Sequence, residues 1–484
     1  MAGKGERKQN RVNQGGHMNS TAFYQQMRER LLAGEWAAGQ RLPSIRHQGA
    51  DSGASHHAIV SAYDRLVAEG LIEAQQGRGY FVTSSMDTGR SAGHRADTLA
   101  DLAAREMSDP VLPMQPSDPL FALLQSGPES IKLSGGWLPT EWRNTELLAR
   151  AIRRTARLEQ RALVEYGDIQ GYRPLRQQLA RHLQSKTRVS VPPTRIITTL
   201  GATQALDLVI RLLIRPGDVV LVDEPGNGNL NKLIALGGGE VIGVPRTATG
   251  PDTAFITELL SRRRVRALVC NSTFHNPTGG SLSARNAFDI LRLAIAHDFL
   301  IIEDDVYGDF SSGHHQSFAD LDDLDHVIYI GSFSKSLSSS LRIGYIACCA
   351  EMIEPLLQLK LLTSVSVPGF CERFVNTILS DGSYLRHMRK VQRDLMVQQA
   401  LTQRLLRACG WTFDIAPEGG MFLWARHPGI DDMDAFIRRL AGHDVLLLPG
   451  SVFTVGNRRE DALRINVAHF TPEMAPLFEP GAPG

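Results

Sequence analysis

Short apolar runs alternate with helical segments from about residue 131 to residue 475, and this alternation constrains the fold more than any other feature of the chain. Turn-forming residues bound each run, and stretches with helical periodicity lie between them. Strands that are connected through helices in this way predict an α/β domain with a mostly parallel sheet. The runs that we predict as buried strands are 195–199, 219–222, 267–270, 300–302 and 327–330.

A different and smaller pattern precedes this region, over residues 20–83. Helical segments come first, Gly53 marks a turn between two of them, and two short strands follow around a glycine-rich turn. The order helix, helix, turn, helix, hairpin is typical of a winged helix-turn-helix domain. The predicted elements are helices within 20–39, 44–50 and 55–69 and strands at 71–74 and 80–83.

The remaining segments complete the predicted domain organisation. Residues 1–19 are basic and polar, lack the apolar stretch of a secretory signal, and are expected to be a disordered leader. Residues 84–130 are rich in Ser, Asp, Gly and Pro and are expected to be a linker with a short helical patch at 99–107. The α/β domain is expected to cover residues 131–478.

Composition excludes several classes of protein. No stretch of about 18 residues is apolar and free of charge, so we expect no membrane span. The five cysteines have neither metal-binding nor disulfide spacing, so we expect no metal site and a reducing, cytoplasmic setting. Residues 1–95 carry a mild basic excess, which is compatible with phosphate contacts but does not by itself indicate nucleic acid.

One lysine stands in an unusual segment, Gly331-Ser-Phe-Ser-Lys335. A lysine amine can form a Schiff base with an aldehyde cofactor. Ser332 precedes this lysine and Arg342 follows it, and both could donate hydrogen bonds to one phosphate. A lysine among serines is also typical of a solvated loop, so this segment alone does not decide between the two interpretations.

Three other segments support a cofactor site. Asn276, in His275-Asn-Pro-Thr-Gly-Gly280, follows a predicted strand, where ligands bind in open α/β sheets. Asp304 ends another strand, and a carboxylate there can pair with a pyridine nitrogen. The segment 200–206 begins a helix with small residues that let backbone N–H groups approach a phosphate. Taken singly, these could equally be a Pro-Gly turn, a solvated acidic loop and an ordinary helix start.

Together, and in this chain order, the segments resemble the aspartate-aminotransferase-like family, fold type I of the enzymes that use pyridoxal 5'-phosphate (PLP). The resemblance covers about 340 residues. It implies a PLP cofactor with Lys335 as the Schiff-base lysine and Asp304 at the pyridine nitrogen. It also implies that Asn276 and Tyr307 bind the ring hydroxyl. The residues that it implies for the phosphate are Ala202, Thr203, Ser332 and Arg342.

The same resemblance assigns three further positions. Tyr166 resembles the tyrosine that reaches the phosphate of the partner subunit, which implies a homodimer. Arg464 resembles the arginine that binds a substrate α-carboxylate, a task that suits a guanidinium, although it could also be a surface arginine beside a buried strand. Asn227 stands where the family has an aromatic residue that stacks on PLP. An asparagine cannot stack in that way, so cofactor affinity or catalytic competence is expected to suffer.

Residues 20–83 resemble the winged helix domain of the GntR superfamily. The matching pieces include Leu42-Pro-Ser-Ile-Arg46 and Gly77-Arg-Gly-Tyr-Phe-Val82. The helix that begins near Ser55 would then lie in the major groove of double-stranded operator DNA. This arm fused to an aminotransferase-like domain is the hallmark of the MocR subfamily of GntR regulators. The resemblance implies DNA contacts by Ser44, Arg46, Ser55, His56, His57 and Arg78.

Three functions are compatible with these observations. The first is a PLP-dependent transcription regulator in which a small amine, an amino acid or PLP itself changes DNA binding. The second is a working aminotransferase with a DNA-binding appendage. The third is a binding module that kept the fold and lost the cofactor. The presence of the DNA-binding arm and of Asn227 favours the regulator, with at most residual aminotransferase activity.

Overall fold

The computed structural model describes residues 20–75, 77–83, 119–127, 129–158, 163–417 and 419–481, without the side chains of residues 50, 51 and 158. The chain forms two compact units, residues 1–109 and 110–484. The predicted leader at 1–19 and the helical patch at 99–107 lie outside the described residues. Among the residues that are described, no helix has the length and apolar character that crossing a bilayer requires.

The first unit is a winged helix-turn-helix, as predicted. Helix α1 packs across α3 through Met27, Leu31 and Tyr63, which are fully buried, and a two-stranded antiparallel wing closes the unit with Ile72 opposite Val82. Gly53 lies between the second and third helices with φ +68°, a left-handed conformation that glycine adopts without strain. The elements are α1 (Ser20–Leu32), α2 (Ile45–Ser52), α3 (His56–Ala68), β1 (Ile72–Gln75) and β2 (Gly79–Val82).

The second unit has the aminotransferase-like α/β architecture that the sequence predicted. Its strands are β3 (Ile196–Thr199), β4 (Val219–Glu224), β5 (Glu240–Thr247), β6 (Gly250–Pro251), β7 (Val265–Asn271), β8 (Leu300–Asp304), β9 (Val327–Ser332), β10 (Gly344–Ala347), β11 (Thr412–Phe413), β12 (Phe422–Arg426) and β13 (Leu463–Asn466). Its α-helices are α4 (Pro119–Gln125), α5 (Thr145–Leu158), α6 (Arg173–Thr187), α7 (Gly201–Leu213), α8 (Gly228–Leu236), α9 (Thr253–Leu260), α10 (Ala284–His297), α11 (Phe318–Asp322), α12 (Ile353–Ser364), α13 (Gly369–Ser380), α14 (Ser383–Ala408) and α15 (Met433–Ala441).

The main sheet has the strand order β3-β10-β9-β8-β7-β4-β5-β6. Strands β5, β4, β7, β8 and β9 are parallel to one another, which agrees with the predicted mostly parallel sheet. Strand β10 is antiparallel to both of its neighbours. The connection from β9 to β10 covers only residues 333–343, which is too short to carry a helix across the sheet and return in the parallel direction.

Side chains on both faces of this sheet are buried. Leu221 and Leu268 belong to one hydrophobic cluster, whereas their neighbours Val222 and Val269 belong to a second cluster, because successive side chains of a strand point to opposite faces. A strand buried on both faces has a continuous apolar sequence. The continuous apolar sequence of these strands is therefore what predicts them.

Candidate functional site

A cavity of about 290 Å³ lies at the carboxyl ends of the parallel strands. Asp223 of β4, Asn271 of β7 and Asp304 of β8 line it from the sheet, and Ala202 lines it from the start of α7. The small antiparallel sheet β11-β12-β13 contributes Arg464. Open α/β sheets bind ligands at this edge, where the strand ends and the following loops converge.

Lys335 enters the cavity from the loop between β9 and β10. A Cβ atom added at Gly136 would lie 3.6 Å from both the Lys335 Nζ and the Tyr307 hydroxyl, so this glycine leaves room where the two groups meet. Removal of the amine from water, reinforced by the positive charge of Arg464, lowers the pKa of Lys335 to about 8. A substantial fraction of the amine is therefore neutral near physiological pH, and the neutral form is the nucleophile.

Asp304 is the last residue of β8 and is buried at the cavity wall. Its Oδ1 accepts a hydrogen bond from the backbone N–H of Val306 at 3.3 Å, and its carbonyl accepts one from Asn271 Nδ2 at 2.7 Å. Burial raises the pKa of Asp304 to about 7, against the opposing effect of the Val306 N–H. A carboxyl group in this state can share a proton with a basic ring nitrogen placed beside it.

Hydrogen-bond donors converge at the start of α7. Gly201 has φ +78°, and a Cβ atom there would lie 3.2 Å from Arg342 Nη2 and 3.4 Å from Ser334 Oγ. The Ser334 backbone N–H donates to Ser332 Oγ at 3.1 Å, which joins the two serines. A helix N-terminus next to a guanidinium and two hydroxyls is suited to a phosphate group, and Thr203 lines the cavity just inside the helix.

Arg464 is 5% exposed and its guanidinium lies between two aromatic rings. Its Cζ is 4.8 Å from the centre of the Phe422 ring and 4.5 Å from that of Phe453. Nη1 donates to Asn276 Oδ1 at 2.6 Å and Nη2 donates to the Ser134 carbonyl, whereas Nε has no hydrogen-bond partner among the described residues. Burial lowers the pKa of Arg464 to about 10, so it stays charged with a donor to spare.

Two predicted positions behave differently from the rest. Asn227 lines the cavity and is also the N-cap of α8, where its Oδ1 accepts a hydrogen bond from the Asn229 backbone N–H at 3.2 Å. Tyr166 does not line the cavity of its own chain, and 86% of its surface is exposed. Its assignment to the site of a partner subunit stays a prediction.

Sequence reasoning did not identify several residues that shape the site. Asn271 joins the ends of β7 and β8, because its Nδ2 donates to the Asp304 carbonyl, and its Oδ1 accepts the Asn276 backbone N–H at 2.8 Å in the loop after β7. Ser334 joins the donors near Arg342, and its position between Ser332 and Lys335 was a signal that could have been used. Trp137 lines the cavity from a loop that carries no strand or motif signal.

A buried ion cluster holds the segment that follows β8. Lys186 Nζ of α6 is 3.2 Å from Asp305 Oδ2 and 3.0 Å from Asp309 Oδ1. His315 and His182 each contact one of these carboxylates, at 2.9 and 2.8 Å. Despite burial, these neighbours hold the pKa values of Asp305 and Asp309 well below the usual range. The cluster anchors the segment between them, which carries Tyr307.

In the first unit, two of the predicted DNA contacts are helix caps. Ser44 Oγ accepts a hydrogen bond from the His47 backbone N–H at 3.3 Å at the start of α2. Ser55 Oγ accepts one from the Ala58 backbone N–H at 3.2 Å at the start of α3. Each hydroxyl therefore has a structural role in addition to any contact with DNA.

The other predicted contacts are exposed side chains. Arg46 lies in the first turn of α2, and His56 and His57 lie in the first turn of α3. Arg78 is at the tip of the wing, where its Cζ is 5.6 Å from the centre of the Phe81 ring. All four side chains are accessible to a ligand of this unit, and their contacts with DNA stay predictions.

Comparison with known proteins identifies both units. The model of the aminotransferase class I and II family matches residues 128–477, and that of the bacterial regulatory proteins of the gntR family matches residues 19–82. The chain belongs to the aminotransferase class I and II family. Because a GntR-type helix-turn-helix precedes that domain, it is a DNA-binding transcription regulator of the MocR type.

Two relatives of this MocR-type regulator match most of the chain, including both units. The uncharacterized HTH-type transcriptional regulator YisV of Bacillus subtilis is 28% identical, over 92% of this chain and 91% of the relative. The probable rhizopine catabolism regulatory protein MocR of Rhizobium meliloti is 26% identical, over 88% of this chain and 85% of the relative.

The chain is also similar to a solved structure, the crystal structure of LysN, an α-aminoadipate aminotransferase from Thermus thermophilus. The match covers 75% of this chain and 92% of the LysN chain, with a TM-score of 0.68 and 27% sequence identity.

Proposed function

We propose that this regulator holds PLP on Lys335 and that a small amine or amino acid, reaching the same cavity, changes its binding to operator DNA. One observation carries the proposal. The amine of Lys335 and the carboxyl of Asp304 line one cavity together with the start of α7, and Arg342 lies beside that helix start, in a chain that also has a GntR-type DNA-binding unit.

The residues present fit PLP on three counts. Gly136 leaves space beside the Lys335 amine, where an aldehyde carbon must reach it. Asp304 is the group that can share a proton with the pyridine nitrogen, because its pKa is raised to about 7. The start of α7 with Arg342 can hold the phosphate. When bound, PLP supplies an aldehyde that amines capture and a ring that withdraws electrons.

The protein groups then have separate tasks. Lys335 would hold the aldehyde of PLP, and Asp304 would pair with the pyridine nitrogen. Arg464 lines the same cavity, and its guanidinium would bind a ligand carboxylate. Such a ligand can change DNA binding only if it binds unequally to two arrangements of the dimer.

The test uses the full-length protein and a DNA duplex selected from a random library by the PLP-loaded protein. We expect PLP to give the wild type a visible absorption band, which Lys335→Ala abolishes. Lys390→Ala is the matched control, because this lysine is exposed and paired with Asp394. We also expect the affinity for the duplex to change when PLP or an amine is added. An affinity for the duplex that stays the same when PLP or any of the amines is added would contradict the proposal.

A catalytic aminotransferase is the second candidate, and the cavity itself favours it. Lys335 has a lowered pKa, and Arg464 has a free donor for a carboxylate, as amino-group transfer to a keto acid would need. Steady turnover of an amino donor and a keto acid at about 1 per second or faster would favour catalysis over effector sensing as the main function of this cavity.

A further inference from the structure

Charge is distributed unequally along the cavity walls. The charged groups Lys335, Asp304 and Arg464 line the cavity close to one another, since Asp304 and Arg464 both act electrostatically on the Lys335 amine, and we assign them to PLP and to a carboxylate. Asp223, the other charged residue of the wall, is already paired with Arg246 at 2.8 Å. Most of the other lining residues are apolar, and the polar ones among them are Thr203, Asn227, Asn229, Asn271, His275, Asn276 and Tyr307. The apolar side chains that we consider for ligand contact are Leu120, Leu124, Trp137, Leu448, Val452 and Phe453.

We infer that the effector is an α-amino acid with an apolar side chain; this inference rests on the proposed function. Its carboxylate would bind Arg464, its amine would approach Lys335, and its side chain would lie against the apolar wall. Among the described lining residues, Arg464 and Lys335 are the only lysine or arginine side chains, so the wall offers no cation for a second carboxylate. A charge buried there without a partner is strongly unfavourable, whereas apolar surface gains by leaving water.

Helix α4 supplies the part of this wall that is open to a ligand. Leu120 and Leu124 lie one turn apart on the face that lines the cavity. Between them in sequence, Leu123 is 3% exposed and packs in a cluster with Trp424 and Leu448, which anchors the helix. Leu124 is still 57% exposed. An apolar ligand side chain would cover part of that surface.

The same helix is the first described element of the second unit after the segment 84–118, which leads from the DNA-binding unit. An effector whose side chain contacts Leu120 and Leu124 would therefore contact the lining helix that comes directly after that segment in the sequence. The α-carboxylate and the amine are held elsewhere, by Arg464 and Lys335. Recognition of the side chain, rather than of the shared amino-acid group, would then distinguish effectors.

The first experiment titrates the full-length, PLP-loaded protein with amino acids and follows its visible spectrum. The series alanine, 2-aminobutyrate, norvaline and norleucine lengthens the side chain by one methylene at a time. We expect the affinity to rise about two- to fourfold per methylene. Aspartate, glutamate and lysine are expected to bind more weakly than norleucine. Glutamate binding as tightly as norleucine would overturn the inference.

The second experiment repeats the titration with variants of α4. We expect Leu124→Ala to weaken norleucine binding about fivefold and to leave alanine binding within about twofold. Phe121→Ala is the matched control, because Phe121 is on the same helix and 59% exposed but does not line the cavity. We expect Leu124→Arg to raise the affinity for glutamate relative to norleucine about tenfold.

The outcomes separate this inference from the proposed function. A spectrum that responds to no amine at all would defeat the proposed sensing, and the inference with it. A spectrum that responds best to glutamate would leave sensing intact and overturn the inference alone. Equal loss of alanine and norleucine binding in Leu124→Ala would also overturn it, because the side chain would then not be recognised by α4.

Discussion

Arg464 Nη1 donates a hydrogen bond to Asn276 Oδ1 at 2.6 Å, and this contact orients a guanidinium at the cavity wall. Substitution of Arg464 by Met should weaken the binding of norleucine about 30-fold, since charge-assisted hydrogen bonds to the carboxylate are lost. Pentylamine, which lacks the carboxylate, should bind within about threefold of its wild-type affinity. Spectral titration measures both.

The control for this substitution is Arg459→Ala, which removes an exposed arginine paired with Asp461. It should change neither affinity. If Arg464→Met weakened pentylamine as much as norleucine, the arginine would be maintaining the cavity rather than binding a carboxylate.

The pKa of Lys335 predicts how PLP uptake depends on pH. The value is lowered to about 8 from its usual 10.5, mainly because burial disfavours the ammonium form. Only the neutral amine attacks an aldehyde, so the uptake rate should rise as the pH passes from about 7 to 9 and then level off. Stopped-flow absorbance at constant ionic strength measures it. A rate that continues to rise to pH 10.5 would contradict the lowered value.

The cluster around Lys186 predicts a stability effect. Replacement of Lys186 by Met leaves Asp305 and Asp309 buried without their shared cation, which should cost about 3–5 kcal/mol. The folded-state pKa values of both carboxyls lie below the usual value near 4, so their stabilising contribution is present above that pH and is lost as the pH falls below it.

Thermal unfolding of the wild type should therefore move to lower temperature between about pH 5 and pH 3, and the Lys186→Met variant should lose less over this range. Lys390→Met is the control, because its exposed pair with Asp394 contributes less than about 1 kcal/mol. Equal destabilisation by the two substitutions would contradict the prediction.

Arg46 is the clearest candidate for a phosphate contact in the DNA-binding unit. Arg46→Ala should weaken binding to specific and unrelated duplexes alike, and the slope of log affinity against log salt should become shallower by about 0.9. Arg28→Ala removes the same charge from a side chain that is paired with Glu69, and should leave the slope unchanged. Fluorescence anisotropy over a range of salt concentrations measures the DNA affinity of both variants. If the two variants had the same slope, Arg46 would not contact a phosphate.

We expect an aromatic residue in place of Asn227 to strengthen PLP binding and to lower the stability of the protein. Asn227→Tyr restores an aromatic ring at this position of the cavity and should tighten PLP binding about two- to tenfold. It also removes the cap of α8, which should cost about 1 kcal/mol. Asn227→Ser keeps a capping oxygen and should change neither quantity much. PLP binding that weakens in the tyrosine variant would show that the ring does not fit.

The central strands and the residues at their ends could be predicted from the sequence, because burial on both faces makes the strands continuously apolar. Asp304 ends such a strand, Asn276 and Lys335 follow two others, and all three residues line the cavity. The antiparallel direction of β10 could be argued only from the short connection before it. Helix α4 lies in a segment whose composition is that of a linker, and its seven residues were too few to give a periodic signal.

Residues whose roles depend on contacts between distant parts of the chain could not be identified from the sequence. Lys186 and Asp309 are far apart in the chain, and neither belongs to a local motif. The capping role of Asn227 depends on where α8 begins, which is difficult to place from sequence alone. The free Nε of Arg464 likewise depends on how Asn276 and Ser134 occupy the other two nitrogens.

The pairing of Ser332 with Gly344 closes a hairpin whose loop carries both Lys335 and Arg342. In the PLP-loaded state that we propose, Lys335 would hold the aldehyde and Arg342 would contact the phosphate, so one continuous segment of backbone would supply two of the cofactor's attachments. Opening of this hairpin would disturb both attachments at once. The absorbance of the bound cofactor should therefore change when β9 and β10 separate, and it should also respond to changes at Asp304 and at the start of α7, which we assign to the same cofactor.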